Sequence, residues 1–252
     1  STGGGEVLIG GGYQGHDSRL TNAQQTATEQ GVRINADAQQ NGNGGTVVIW
    51  SDGQTHSAAN ISAQGGLEGG NGGLVETSGK QYLDVKAAPN VSARAAGALG
   101  GEWLLDPTSI IVGMPAPTPS PFPVSDVSDP PSPTFSGTTT GLFNSYVDPA
   151  LLEAALAGGN TVTIKTTDGG TAAAPRNESS VRFAASVHPN VTTSGGTLRV
   201  VAHENITVDA GVNIRPAITG NFNIDFQAGY SFDTTAGSAT PSASSTGGGI
   251  TL

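Results

Sequence analysis

The chain has 252 residues, 38 of them glycine, no cysteine and a formal net charge of −10. Without cysteine there are no disulfides, thiolate zinc sites or cysteine nucleophiles, and ten Lys and Arg residues on so acidic a chain speak against nucleic acid or an anionic membrane surface as partners. Charged residues make up 12% and aromatics 5%, so a core must come from short runs of Val, Ile and Leu, in a length that suits one or two domains.

The chain opens with "STGGGEVLIGGG" and closes with "STGGGITL". Both ends look like the interior of a pattern, and no signal peptide is visible at Ser1. The sequence therefore reads as a segment of something longer or as a processed product. No apolar stretch approaches the roughly 20 residues that span a bilayer, so membrane insertion is not expected.

Residues 1–113 carry a repeat. Gly pairs fall at Gly44-Gly45, Gly72-Gly73 and Gly100-Gly101, 28 residues apart each time, and each is followed within two residues by an apolar run. A second landmark, "RINADAQQNG", "NISAQGG" and "NVSARAAG", precedes the next pair at a similar distance. Periods of 20 to 50 residues signal stacked repeats. The β-branched runs are three to five residues long and bounded by Gly, Asn, Asp and Ser, which are strand and turn signals.

The expectation is an all-β fold, a parallel β-helix with coils of about 28 residues. The Gly pairs would mark corners, where Gly tolerates positive φ and lets backbones approach closely. Val47, Ile49, Leu74, Leu104, Ile110, Val162, Ile164, Leu198, Val200, Ile206 and Ile224 would point inward. Trp103 would fill a coil interior or cap it where the 114–144 insertion begins, the alternative being an aromatic platform for a sugar ring. An antiparallel sandwich also has short strands, but it does not require a constant interval. Residues 13–32 read as a polar insertion, partly helical.

Residues 114–144 are proline-rich. Proline cannot donate to a ladder, so this stretch reads as a loop insertion outside the coils. Residues 145–252 begin with a short helix over 148–157, in which Asp148 is a good N-cap and Pro149 suits the first helical position. Further coils follow in "NTVTIKTT", "GGTLRVVAHENITVDAGVNI" and "TGNFNIDFQAG".

The stretch "GGTVVIWSDGQTHSAANISAQGGLEGGNGGLVETSGK", then "GGEWLLDPTSIIV", "LLEAALAGGNTVTI" and "GGTLRVVAHENITVDAGVNI" resemble, in that order, the repeat region of filamentous haemagglutinin-like exoproteins. The resemblance covers about 1–113 and 145–252. It implies a right-handed parallel β-helix (solenoid), secreted or at the cell surface of a Gram-negative bacterium and exported by two-partner secretion through an outer-membrane partner. It implies adhesion, aggregation or biofilm roles, with host-cell or matrix glycans or proteins as partners.

No catalytic, cofactor-binding or metal-binding residue is assigned. Glu76, Asp84, Glu102, Asp106, Asp168, Glu178, Glu204, Asp209, Asp225 and Asp233 are spread thinly and form no close motif. His16, His56, His188 and His203 lack metal spacing and are expected at the surface or at corners. A polysaccharide-active lyase or hydrolase is the alternative, and an acidic groove holding an Arg or Lys would favour it.

Asn60, Asn90, Asn177, Asn190 and Asn205 lie in sequons; Asn in turns or corner ladders is the reading preferred for them, with glycosylation the alternative. Val7, Leu8, Ile9, Ile250 and Leu252 lie in strand-like ends without an obvious polar cap. These ends would meet other copies or adjacent coils of the same protein, end to end, as in a filament.

Overall fold

The computed structural model describes residues 3–113, 145–166, 179–191, 194–218 and 220–229, with three further two-residue strands. The proline-rich 114–144 insertion, Asn177 and Leu252 lie outside the described residues.

The first coils hold β1 (Glu6–Ile9), a 3-10 turn (Tyr13–Gly15), β2 (Gln25–Thr28) and β3 (Arg33–Asn35). Next come β4 (Thr46–Ser51), β5 (Gln54–Ser57), β6 (Asn60–Ser62), β7 (Leu74–Gly79) and β8 (Tyr82–Val85). The middle contains β9 (Glu102–Leu105), β10 (Ile110–Val112), β11 (Ser145–Val147), the helix α1 (Pro149–Ala157) and β12 (Thr161–Lys165). The remainder holds β13 (Val181–Phe183), β14 (Ser194–Ala202), β15 (Ile206–Val208) and β16 (Asn221–Ala228). The short strands are β17 (Ser231–Phe232), β18 (Pro241–Ser242) and β19 (Ile250–Thr251).

Two parallel sheets run along the molecule. One has the order β1-β4-β7-β9-β12-β14-β16, and the other β19-β15-β13-β10-β11-β8-β5-β2. A third, shorter face pairs β3 with β6, and a bridge from Ser62 to Asn90 extends it. The two large sheets contain parallel pairs throughout, which excludes the antiparallel sandwich. The separation between paired residues is 28 from Thr46 to Leu74 and from Leu74 to Glu102. It is longer where an excursion intervenes, as from Glu102 to Thr161.

The core is the column between the faces. Val47, Val75, Trp103, Val162 and Leu198 follow one another in register, all fully buried. Opposite them sit Leu83, Val147, Ile110, Val181 and Ile206, and Ile34 and Ile61 close the third side. A fully buried side chain of this size contributes about 1.5–3 kcal/mol, so strands this short hold only as a stack. Trp103 fills the interior as expected, and its indole N–H donates to Thr77 Oγ1 at 2.9 Å. Phe183 and Phe226 stack at 5.5 Å further along.

Three residues of the expected column behave differently. Leu74 is half-buried and shares the outward register of Thr46 and Glu102; Val75 takes the inward place. Leu104 is buried, but strand alternation puts it on the outer side, between inward Trp103 and Leu105. Ile224 pairs with inward Leu198 yet is 47% exposed, because β16 is the last described strand of its sheet.

The Gly pairs are not left-handed. Positive φ falls instead at nearby Gly42, Gly70 and Gly97. Close approach alone explains the pairs. Gly45, Gly73 and Gly101 donate N–H to Ala36, Ala63 and Val91 across the corner. A Cβ on Gly72 would lie 1.7 Å from the Val91 carbonyl oxygen.

The 13–32 insertion is shorter than expected. Residues Gln25–Thr28 form β2, which pairs with β5 in register, and only the stretch before it leaves the coil. We refer to residues 10–22 as the strap. The helix of 148–157 is present over Pro149–Ala157, and Asp148 Oδ1 accepts the Ala150 N–H at 2.9 Å. Leu152, Ala155 and Leu156 join the core, so α1 closes the column against β12 and β14. β11 follows β10 in sequence but lies between β8 and β10, one strand position back along the sheet. The Leu83 N–H donates to Ser145 Oγ at 3.0 Å and helps hold that returned strand.

Candidate functional site

The outer side of the β1-to-β16 sheet carries a polar cluster that the strap covers. Register places Val48, Glu76, Leu104 and Thr163 in one row across β4, β7, β9 and β12. The row two residues on holds Trp50 and Ser78, and on the following strands Asp106 and Lys165 occupy the same side. Glu76 and Asp106 are 0% and 2% exposed.

The strap seals the cluster. Gln14 donates its backbone N–H to Glu76 Oε2 at 2.9 Å. Lys165 Nζ donates to Gln14 Oε1 and sits 3.7 Å from Asp106 Oδ2. Asp106 takes its own N–H bond to Ser78 Oγ at 3.0 Å. Gln14 has φ 52 and ψ 26, a left-handed geometry uncommon for a residue with a side chain. Glycine is required beside it: a Cβ on Gly15 would meet the Trp50 ring at 2.6 Å. Trp50 Nε1 and Asn22 Nδ2 both donate to Asp52 Oδ1, which fixes the far end of the strap.

Burial dominates the electrostatics. Glu76 is pushed up to about 8 by desolvation, helped by the Asp106 charge; the Gln14 N–H, the Ser78 hydroxyl and Lys165 pull the other way. Asp106 is pushed up to about 6 by desolvation, against the pull of Lys165 and Lys80. Tyr13 is raised to about 12, by partial burial first. At neutral pH Glu76 therefore keeps its proton and Asp106 forms an ion pair with Lys165. The cluster is then close to neutral, which a buried site requires. A protonated carboxyl beside an ionised one has the chemistry of an acid–base pair, but here no solvent reaches either group.

This cluster corrects the expectation that the acidic residues form no close motif. Asp106 lies 30 positions beyond Glu76, one repeat plus two, which stacking converts into the same side of adjacent strands. That signal was present in the 28-residue period. Lys165 could not be placed the same way, because the 59 residues from Asp106 to Lys165, with α1 among them, break the 28-residue interval.

Other residues are more dispersed. His56 Nδ1 and Lys86 Nζ both contact Asp84, at 2.9 and 2.7 Å, on the outer side of the second sheet. His16 is exposed, and His188 and His203 are half-buried. Asn60, Asn90, Asn190 and Asn205 are exposed. Asparagine ladders do occur at a corner, but at other positions: Asn43 Oδ1 accepts the Asn71 N–H, and Asn71 Oδ1 accepts the Leu99 N–H, each at 2.9 Å. Val7, Leu8 and Ile9 are half-buried in β1, an edge strand, and Ile250 begins β19, the edge of the other sheet. Among the described residues, no three His, Asp or Glu side chains gather as a metal site. No described helix is long and apolar enough to cross a membrane.

The chain matches no protein-family model and no curated protein. The functional reading therefore rests on residue patterns and geometry.

Proposed function

We propose that the chain is a secreted or cell-surface structural and adhesive module of a filamentous haemagglutinin-like exoprotein. Its scaffold is a right-handed parallel β-helix with coils of about 28 residues, the separation seen along the Asn43–Asn71–Leu99 ladder. The observation that carries this reading is the in-register parallel stack, with a column of apolar residues inside and a largely small and polar outside. Such a rod displays a long surface.

The neighbours of the module are other coils. The edges of β1 and of β16 each lack a stacked partner strand on one side among the described residues. A coil of the parent chain or of another copy pairs there, end to end. Host-cell or matrix glycans or proteins bind along the sides. Exposed Asn60, Asn90, Asn190 and Asn205 are available for glycosylation. Antibodies raised against the chain should label intact cells or fibres in culture fluid; labelling that appears only after lysis would contradict the proposal.

A second reading has one observation in its favour. Glu76, Asp106 and Lys165 combine two carboxyls and a lysine on one side of a sheet, as a polysaccharide lyase or hydrolase needs. Their burial favours the structural reading, and a glycan turnover assay separates the two.

A further inference from the structure

The coils are joined by backbone ladders and apolar packing, with side-chain pairs such as His56–Asp84 and Arg182–Asp209 on their outer sides. The strap instead meets buried polar groups. Strap contacts converge on titratable groups: Gln14 N–H on Glu76, Gln14 Oε1 on Lys165, and Asn22 on Asp52. The strap also holds Gln14 in a left-handed conformation, which persists only while its surroundings enforce it. Its inner surface is shaped to the Trp50 ring through Gly11 and Gly15.

We propose that residues 10–22 form a pH-gated cover over Glu76, closed while its carboxyl holds a proton and released as that proton leaves. The groups acting on Glu76 are Tyr13 and Gln14 on the strap, Ser78 on β7, Asp106 just after β9 and Lys165 on β12; Lys80, just after β7, acts on Asp106, and Glu102 on β9 acts on Tyr13. His16 and the Asp17–Arg19 ion pair lie on the exposed part of the strap. Asp17 is lowered to about 2 by Arg19 and stays ionised throughout the window.

Opening returns Glu76 and Asp106 to water. A carboxyl raised in the closed state binds its proton more tightly closed than open, so the closed state is favoured at acid pH. That advantage falls as pH rises from the ordinary glutamate value of 4.5 to about 8, and above this it is gone. Asp106, raised from 3.8 to about 6, acts in the same direction at the acid end. Only the strap needs to move, because the inward-facing residues of β7 and β9 are on the other side of the sheet.

Amide hydrogen exchange of the 252-residue chain from pH 5.5 to 9, corrected for intrinsic rates, tests the gate. The opening constant for the Gln14, Gly15, His16 and Leu20 amides should rise at least about tenfold between pH 6 and pH 8. The Gly72 and Leu99 amides, in the corner ladder, should stay unchanged. Glu76→Gln keeps an acceptor for the Gln14 N–H and should remove most of the rise. A flat profile in the wild type, the same rise in the variant, or an equal rise at Gly72 and Leu99 would overturn the proposal. Should the variant fail to fold, direct carboxyl titration of Glu76 in the wild type decides: an ordinary glutamate value overturns the gate.

Discussion

Gln14 donates its backbone N–H to Glu76 Oε2 at 2.9 Å, across 62 residues of sequence. The bond joins an excursion from the first coil to the outer side of the third strand of its sheet. It covers a carboxyl that the stack would otherwise leave in water. The cost of that burial appears in the raised pKa of Glu76, and it makes the overall stability of the chain depend on pH.

Folding stability should fall from pH 5 to pH 9. Glu76 is raised from 4.5 to about 8, so the folded state binds the extra proton between those values and loses stability as pH climbs through them. At ~1.4 kcal/mol per pKa unit, discounted for the coupling with Asp106, the loss is roughly 3 kcal/mol. Denaturant melts of the wild type at the two pH values measure it, and Glu76→Gln should flatten the dependence.

The core column should not tolerate charge. Val75 is fully buried, with Val47 and Trp103 as its register partners. Val75→Asp buries an unpaired carboxylate and should abolish the cooperative transition. Trp103→Ala leaves a cavity and strands the Thr77 hydroxyl, at a cost of about 3–5 kcal/mol in a denaturant melt. The same substitution at half-buried Leu74 should cost far less.

Glycine at the corners should be irreplaceable for want of space. Gly72→Ala places a Cβ 1.7 Å from the Val91 oxygen and 2.3 Å from the Gly101 nitrogen, both backbone atoms. Gly97→Ala meets nothing within 4 Å but carries φ +77. Circular dichroism melts should show Gly72→Ala unfolded or severely destabilised, and Gly97→Ala weakened by about 1 kcal/mol.

The asparagine ladder should contribute modestly. Asn71→Ala removes the acceptor of the Leu99 N–H at an exposed corner, where water can substitute. A loss of about 1 kcal/mol is expected, with faster exchange at the Leu99 amide and little change at Val75.

Much of the stack was legible because Gly44-Gly45, Gly72-Gly73 and Gly100-Gly101 report one corner at a fixed interval. That interval placed Val47 and Ile49, but naming Leu74 as inward missed the face by one residue, since a period of two turns a one-residue error into the opposite side. The Gly pairs themselves were half understood: crowding requires them, and left-handed backbone occurs at their neighbours. Helix α1 was readable from Asp148, Pro149 and its leucines, because capping is local. The swapped order of β10 and β11 was not readable, since no local signal tells a strand which rung it will fill. The strap cluster was missed for a related reason. Glu76 and Asp106 are 30 residues apart and form no local motif; only stacking makes them neighbours, and Gln14 enters from an excursion with no periodic signal.

As a structural and adhesive surface, the proposed role of this stack, the chain should retain ligands without transforming them. The most direct test presents the purified chain to a panel of acidic and neutral glycans and matrix proteins, scoring saturable retention and released product in the same wells. Retention on a subset is expected, with no reducing-end or unsaturated product at any pH from 5 to 9. Reproducible product that disappears in Glu76→Gln or Asp106→Asn would contradict it and make the cluster beneath the strap an active site.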